Sequence, residues 1–192
     1  ITVNDIAPNT LTYPSPNVFT VGSSIANLVP TFSGNVTSFS ITPSLPSGLS
    51  FDTNSGVVSG TPTTVSATAI YTVTATNSGG STSFGISITV NDIAPSSLSY
   101  PSPNVFTVGS AIANLIPTIS GSVISYSISP SLPTGLSFDT TSGIISGTPT
   151  AVSATAIYTV TATNSGGSTS FGISITINDI APNTLTYPSP NV

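Results

Sequence analysis

Two runs of the chain alternate between apolar and hydroxylated side chains. In AIYTVTAT (69–76), Ala69, Tyr71, Val73 and Ala75 share one face, and Thr72, Thr74 and Thr76 share the other. In TSFGISITV (82–90), Phe84, Ile86, Ile88 and Val90 point one way, with Ser83, Ser87 and Thr89 opposite. A period of two marks a strand with one buried face. NSGG (77–80) separates the runs. The pair therefore predicts a hairpin, with Gly79 and Gly80 supplying the positive φ of its turn. A shorter alternation, Thr37, Phe39 and Ile41, predicts another strand with those three inward. LPSG (45–48) is a turn signal, and DTNSG (52–56) and SGTP (59–62) bracket a short strand, Gly56–Ser59. No stretch of useful length follows the helical period.

The pattern then recurs. Residues 11–97 align without a gap on 98–184, and 71 of the 87 positions are identical. Residues 65–89 are unchanged in 152–176. Most differences are conservative, such as Val57 to Ile144 and Phe39 to Tyr126. The inward set of the short strand becomes Ile124, Tyr126 and Ile128, which is more apolar. NDIAPNTLTYPSPNV stands at both 4–18 and 178–192, with a close variant at 91–105. The expected organisation is 1–10 as the end of a preceding repeat and linker, 11–97 and 98–184 as two repeats with linkers, and 185–192 as the start of another. The chain is thus expected to be a window of a longer array. Short strands with frequent turns in an 87-residue unit predict an all-β fold. The expectation is tandem immunoglobulin-like sandwiches of about seven strands each. Pro14, Pro16, Pro101 and Pro103 interrupt the first strand of each unit. That strand is expected at a sheet edge, because proline cannot donate to a ladder.

Composition narrows the function. The 192 residues include no Lys, Arg or His and carry a net charge of −5, all from aspartate. Without cations there is nothing to displace phosphate counterions, which excludes nucleic acid as a partner. The absence of Cys excludes disulfides and thiolate metal sites. A serine nucleophile lacks a histidine or lysine base, so no enzyme is expected. Mean hydropathy is +0.41, against disorder. No apolar run approaches the roughly 18–20 residues of a membrane span, so no membrane insertion is expected in this segment. The lack of any trypsin-type cleavage residue suits an exposed, long-lived extracellular material.

A family resemblance rests on LPSGLSFDTNSGVVSGTPT (45–63) and LPTGLSFDTTSGIISGTPT (132–150), together with YTVTATNSGGSTSFGISITV (71–90). These stretches resemble the Ig-like repeats of prokaryotic, haemagglutinin-type surface proteins. The resemblance implies tandem immunoglobulin/cadherin-like β-sandwiches on a large exported protein, extracellular or at the cell surface, serving in stalks, adhesins and spacers. It implies no catalytic residues.

Few residues are candidates for chemistry. Asp52 and Asp139 sit in the signature turn, where a carboxylate is expected to accept backbone N–H groups of the following loop. Asp5, Asp92 and Asp179 each follow an asparagine at the repeat junctions. Asp5, Asp92 and Asp179 with the Asn91 amide are the only candidate calcium ligands, and calcium would be the only cofactor. The set is poor, since calcium takes 6–8 oxygens and the chain has no Glu. The competing reading is a hydrogen-bonded turn. Asn35-Val36-Thr37 matches an N-glycosylation sequon, absent from the second repeat because position 122 is Ser. Tyr13, Tyr100 and Tyr187 are expected to be exposed or to pack at a seam between domains.

An almost uncharged, hydroxyl-rich surface lets domains pack side to side without burying unpaired charge. The expected function is therefore structural: the body of an extracellular filament, fibre, sheath or stalk that associates with itself. The alternative is an adhesin stalk whose repeats present or perform binding to glycans or a host surface.

Overall fold

The computed structural model describes residues 5–187, which form sixteen strands and no helix. Within the windows 1–10 and 185–192, residues 1–4 and 188–192 lie outside the described residues. The chain divides into two compact units, Ile1–Ile93 and Ala94–Val192. The first holds β1 (Asn9–Thr12), β2 (Asn17–Thr20), β3 (Thr31–Ser33), β4 (Ser38–Thr42), β5 (Leu49–Phe51), β6 (Val58–Gly60), β7 (Ser66–Asn77) and β8 (Gly80–Asn91). The second repeats them as β9 (Ser96–Ser99), β10 (Asn104–Thr107), β11 (Thr118–Ser120), β12 (Ser125–Ser129), β13 (Leu136–Phe138), β14 (Ile145–Gly147), β15 (Ser153–Asn164) and β16 (Gly167–Asn178). Each unit has eight strand segments because the prolines split its first strand in two.

In the first unit one sheet runs β2-β8-β7-β4. Opposite it, β1 pairs with β3 and β5 with β6. An antiparallel bridge from Leu28 to Val58 links the two ribbons. The second unit repeats this as β10-β16-β15-β12 opposite β9-β11 and β13-β14, linked by Leu115 and Ile145. The two halves of the split first strand thus serve different sheets. β1 sits at an edge of one. After Pro14 and Pro16, β2 lies parallel to β8 at the edge of the other. A proline at a strand's end removes an N–H where the ladder has no need of it.

The core lies between the sheets and is supplied by alternation. Tyr71, Val73 and Ala75 of β7 meet Ile86, Ile88 and Val90 of β8, with Leu11, Tyr13, Leu28, Phe39 and Val58. The second unit has its own cluster, built on Tyr158, Val160, Ala162, Ile173, Ile175 and Ile177. Burying each such side chain contributes about 1.5–3 kcal/mol.

Four expectations need correction. Thr37 and Ile124 are not inward: Ile124 is 70% exposed. β4 begins one residue later, and in the preceding loop it is Val36 and Val123 that pack on the core. Tyr13 and Tyr100 are core residues, 7% exposed, because β1 and β9 face inward at their ends. Gly80 has a positive φ of 148° and Gly79 does not. The short strand is Val58–Gly60, since Gly56 still belongs to the turn with φ 74°.

Candidate functional site

The signature turn is organised by its aspartate. Asp52 Oδ1 accepts the Asn54 N–H at 2.8 Å and the Ser55 N–H at 3.4 Å, while Oδ2 accepts the Ser55 hydroxyl at 2.8 Å. Asp139 Oδ1 accepts the N–H groups of Thr141 and Ser142 at 2.8 and 3.3 Å. These bonds favour the ionised form. The Asn54 N–H and the Ser55 hydroxyl hold Asp52 below the usual carboxylate range, and the Thr141 N–H does the same first for Asp139. The turn in turn braces a tyrosine. Tyr13 Oη donates to Gly56 O at 2.6 Å, and Tyr100 to Gly143 O at 2.6 Å. Burial pushes both phenols upward, with a smaller contribution from Tyr126 for Tyr100. A Cβ on Gly56 would lie 2.9 Å from both the Tyr13 hydroxyl and the Phe39 ring, so the tyrosine, the ring and the glycine form one fitted cluster. Tyr187, the third copy, is exposed.

The junction segment before the first unit is held by the β7–β8 turn. Asp5 N–H donates to Ser78 Oγ at 3.0 Å. Asn77 is buried, and its Nδ2 donates to Ile6 O at 2.7 Å and to Asn35 O at 2.8 Å. Its Oδ1 accepts the N–H groups of Gly79 and Gly80 at 2.8 and 3.2 Å. One amide thus ties together a turn, a loop and the incoming chain. Gly79 is required for closeness rather than for its φ: an added Cβ would lie 1.9 Å from Asp5 O. Sequence reasoning missed Asn77 because NSGG reads as turn composition, and only the long-range partners reveal its role. A second missed residue is Asn17, buried, with Nδ2 donating to Pro14 O at 2.8 Å and more weakly to Ser87 O at 3.4 Å. Beside it, Ser15 Oγ accepts the Ser87 N–H at 3.0 Å.

Among the described residues no three Asp side chains come together in a group fit to hold a metal. Asp92 Oδ1 accepts the Ile93 N–H and Asp179 Oδ1 the Ile180 N–H, each at 2.8 Å. Asn91 ends β8, and its carbonyl accepts the Val21 N–H at 2.9 Å. Asn35 has an exposed side chain, and Thr37 Oγ1 of its sequon donates to Thr76 O at 2.9 Å.

The second half of each unit's split first strand pairs with its last strand. Asn17, Val18, Phe19 and Thr20 lie in parallel register with Ile88, Thr89, Val90 and Asn91. β10 and β16 repeat this from Asn104 against Ile175 to Thr107 against Asn178.

Two facing sheets, a split first strand and a parallel first-to-last pair define tandem immunoglobulin-like sandwiches, a domain type without enzymatic activity. The chain belongs to the family described as "Putative Ig domain", whose model matches residues 1–91 and 94–178. It is 31% identical over 169 residues to the serine-rich adhesin for platelets of Staphylococcus aureus strain MRSA252, covering 84% of this chain and 12% of that protein. In strain USA300 the match is 31% over 168 residues, and the chain spans 7% of that protein. Extracellular domains 3–5 of Drosophila OTK have a TM-score of 0.54 at 16% identity, covering 88% of this chain and 62% of that one. Titin domains A168–A170 have a TM-score of 0.52 at 19% identity, covering 91% and 67%. These structures share the fold.

Proposed function

We propose that the chain is part of the body of an extracellular fibre, filament, sheath or stalk that carries tension, built from such repeats and associating with copies of itself. The observation that carries this reading is the parallel pairing of β2 with β8 and of β10 with β16. Tension reaches β2, the second half of the split first strand, by way of β1 and leaves through the last strand, β8. When those strands are parallel neighbours, pulling slides one along the other, and their hydrogen bonds are strained together rather than opened one at a time. The Val21 N–H given to Asn91 O extends the pair, and Asn17 and Ser15 anchor its start.

Stretching single molecules of the 192-residue chain tests this. Two abrupt unfolding events are expected, each releasing about 300 Å of chain at about 3.5 Å per residue. Val21→Pro, which removes the N–H at the end of the pair, should lower the force of one event and leave the other. Gradual extension at low force in the unaltered chain would sink the proposal.

The similarity to a staphylococcal adhesin favours a second reading, in which the repeats present or perform binding to glycans or a host surface. Saturable binding of the chain to a glycan array would support it.

A further inference from the structure

We infer that the outer face of the four-stranded sheet, β2-β8-β7-β4 in the first unit and β10-β16-β15-β12 in the second, is the surface through which copies of this chain pack side to side. The inference rests on the self-association proposed above and names the surface that performs it.

Charge is the first argument. Each copy carries −5, so copies repel, and contact without a desolvated charge is possible only where no aspartate stands. Asp52 and Asp139 lie in the turns between β5 and β6 and between β13 and β14, beside the β4 and β12 edges rather than on a sheet face. Asp5, Asp92 and Asp179 flank the ends of the units. The outer face of the four-stranded sheet holds none of the five.

Its chemistry is the second. Ser40, Thr74 and Ser83 stand side by side across three strands, and Ser38, Thr76 and Ser81 form the next row. Hydroxyls on this face already bond to each other: Thr74 to Ser83 at 2.9 Å, and Thr68 to Thr89 at 2.7 Å. The second unit repeats both, Thr161 to Ser170 at 2.8 Å and Thr155 to Thr176 at 2.7 Å. Hydroxyls satisfied within the face cost less to remove from water. Val18 and Ile70 add apolar contact on the same side, exposed by 65% and 67%.

The β4 and β12 edges are partly closed to the alternative, strand-to-strand association. Phe39 N–H at the β4 edge is already given to Thr53 O at 2.8 Å, and Tyr126 N–H to Thr140 O at 2.7 Å. Pro43 follows β4 and Pro16 precedes β2. Prolines and a covering loop do what edge lysines do elsewhere.

Comparison of the two repeats singles out the same face. Exposed loop positions change, including Asn35 to Ser122, Thr37 to Ile124, Asn54 to Thr141 and Thr64 to Ala151. Across the outward positions of β2, β4, β7 and β8 the repeats differ once, Thr42 to Ser129, and that change keeps the hydroxyl.

The size of the face sets the strength. Two strands of 12 residues, flanked by strands of 4 and 5 residues, stand about 4.8 Å apart with a rise of about 3.4 Å per residue and present about 500 Å² per unit. A stable pair of proteins buries about 800 Å² on each partner. One unit alone is therefore a weak partner, and strength comes from repetition along an array.

Analytical ultracentrifugation of the 192-residue chain over a concentration series tests the inference. Thr74→Lys with Thr161→Lys puts charge on the face, and Ser50→Lys with Ser137→Lys puts it on the opposite sheet. Both pairs change the net charge equally, from −5 to −3, so general repulsion falls alike in each. Melting curves verify that both variants fold. The expected result is reversible self-association of the unaltered chain, weakened at least tenfold by the first pair and less than twofold by the second. Equal effects of the two pairs, or loss only with the second, would overturn the face while leaving self-association standing. A chain that stays monomeric to its solubility limit, or that binds an insoluble polysaccharide such as cellulose instead, would overturn it as well. Resistance to force is measured separately and is untouched by either result.

Discussion

The tyrosines illustrate how much a single residue's role depends on distant partners. In YPSP, Tyr13 has the local composition of an exposed loop. Its hydroxyl nevertheless reaches the carbonyl of Gly56, 43 residues away, inside the core. Tyr13→Phe keeps the ring and removes the bond, leaving a buried carbonyl without its donor. A loss of about 1–2 kcal/mol is expected, or roughly 4–8 °C in melting temperature per kcal/mol for a domain of this size. Denaturant unfolding of the single variant checks this. The turn aspartates make a pH prediction with a definite sign. Asp52 and Asp139 are lowered in the folded state, so their contribution is present above the ordinary carboxylate pKa and is lost as pH falls through the lowered folded values. Stability should therefore decline on acidification below about pH 4. The decline should be shallower in the Asp52→Asn, Asp139→Asn double variant. Thermal melts across an acid pH series give the comparison.

At the scale of elements, the β7–β8 hairpin is legible from the order of residues alone. Strict alternation places its inward and outward faces, because a strand turns successive side chains to opposite sides. The consequence is a sharp contrast between neighbours on one ladder. Ile88 is fully buried and Ile70 is largely exposed. Ile88→Ala should cost about 2–5 kcal/mol, whereas Ile70→Ser should stay within about 0.5 kcal/mol of the unaltered chain. Chemical denaturation of both variants tests the assignment of faces. The start of β4 is harder to place, because the alternation runs one step beyond the strand. Thr37 and Ile124 fit the period but lie in the loop, where burial follows the path of the chain rather than the pleat. Gly79 escapes local reading for a different reason. A glycine pair in a turn suggests backbone freedom, yet Gly79 is needed because Asp5 O occupies the space of its missing Cβ.

For the molecule as a whole, each unit owns a separate buried cluster, one centred on Ile86 and Ile88 and the other on Ile173 and Ile175. A core substitution in one unit should then lower one unfolding transition and spare the other. Calorimetry of the Ile88→Ala chain should show an early transition of about half the total enthalpy and a later one at the original temperature. A single shifted transition would show that the units unfold together.

The order of residues is enough for the repeat, the all-β class, most of the strand faces and the lack of the residues that most catalysis requires. Those properties follow from composition and from a period of two, both of which are local. Tertiary structure alone decided that the split first strand serves two sheets, that β2 runs parallel to β8, that Tyr13 is core, and that Asn77 holds the incoming chain. Apart from the β1–β3 ladder, which joins Thr12 to Thr31 and Asn9 to Ser33, each of these joins residues more than 40 positions apart. Short-range pattern cannot encode such pairings, because they are selected by which surfaces can be buried together once the strands exist.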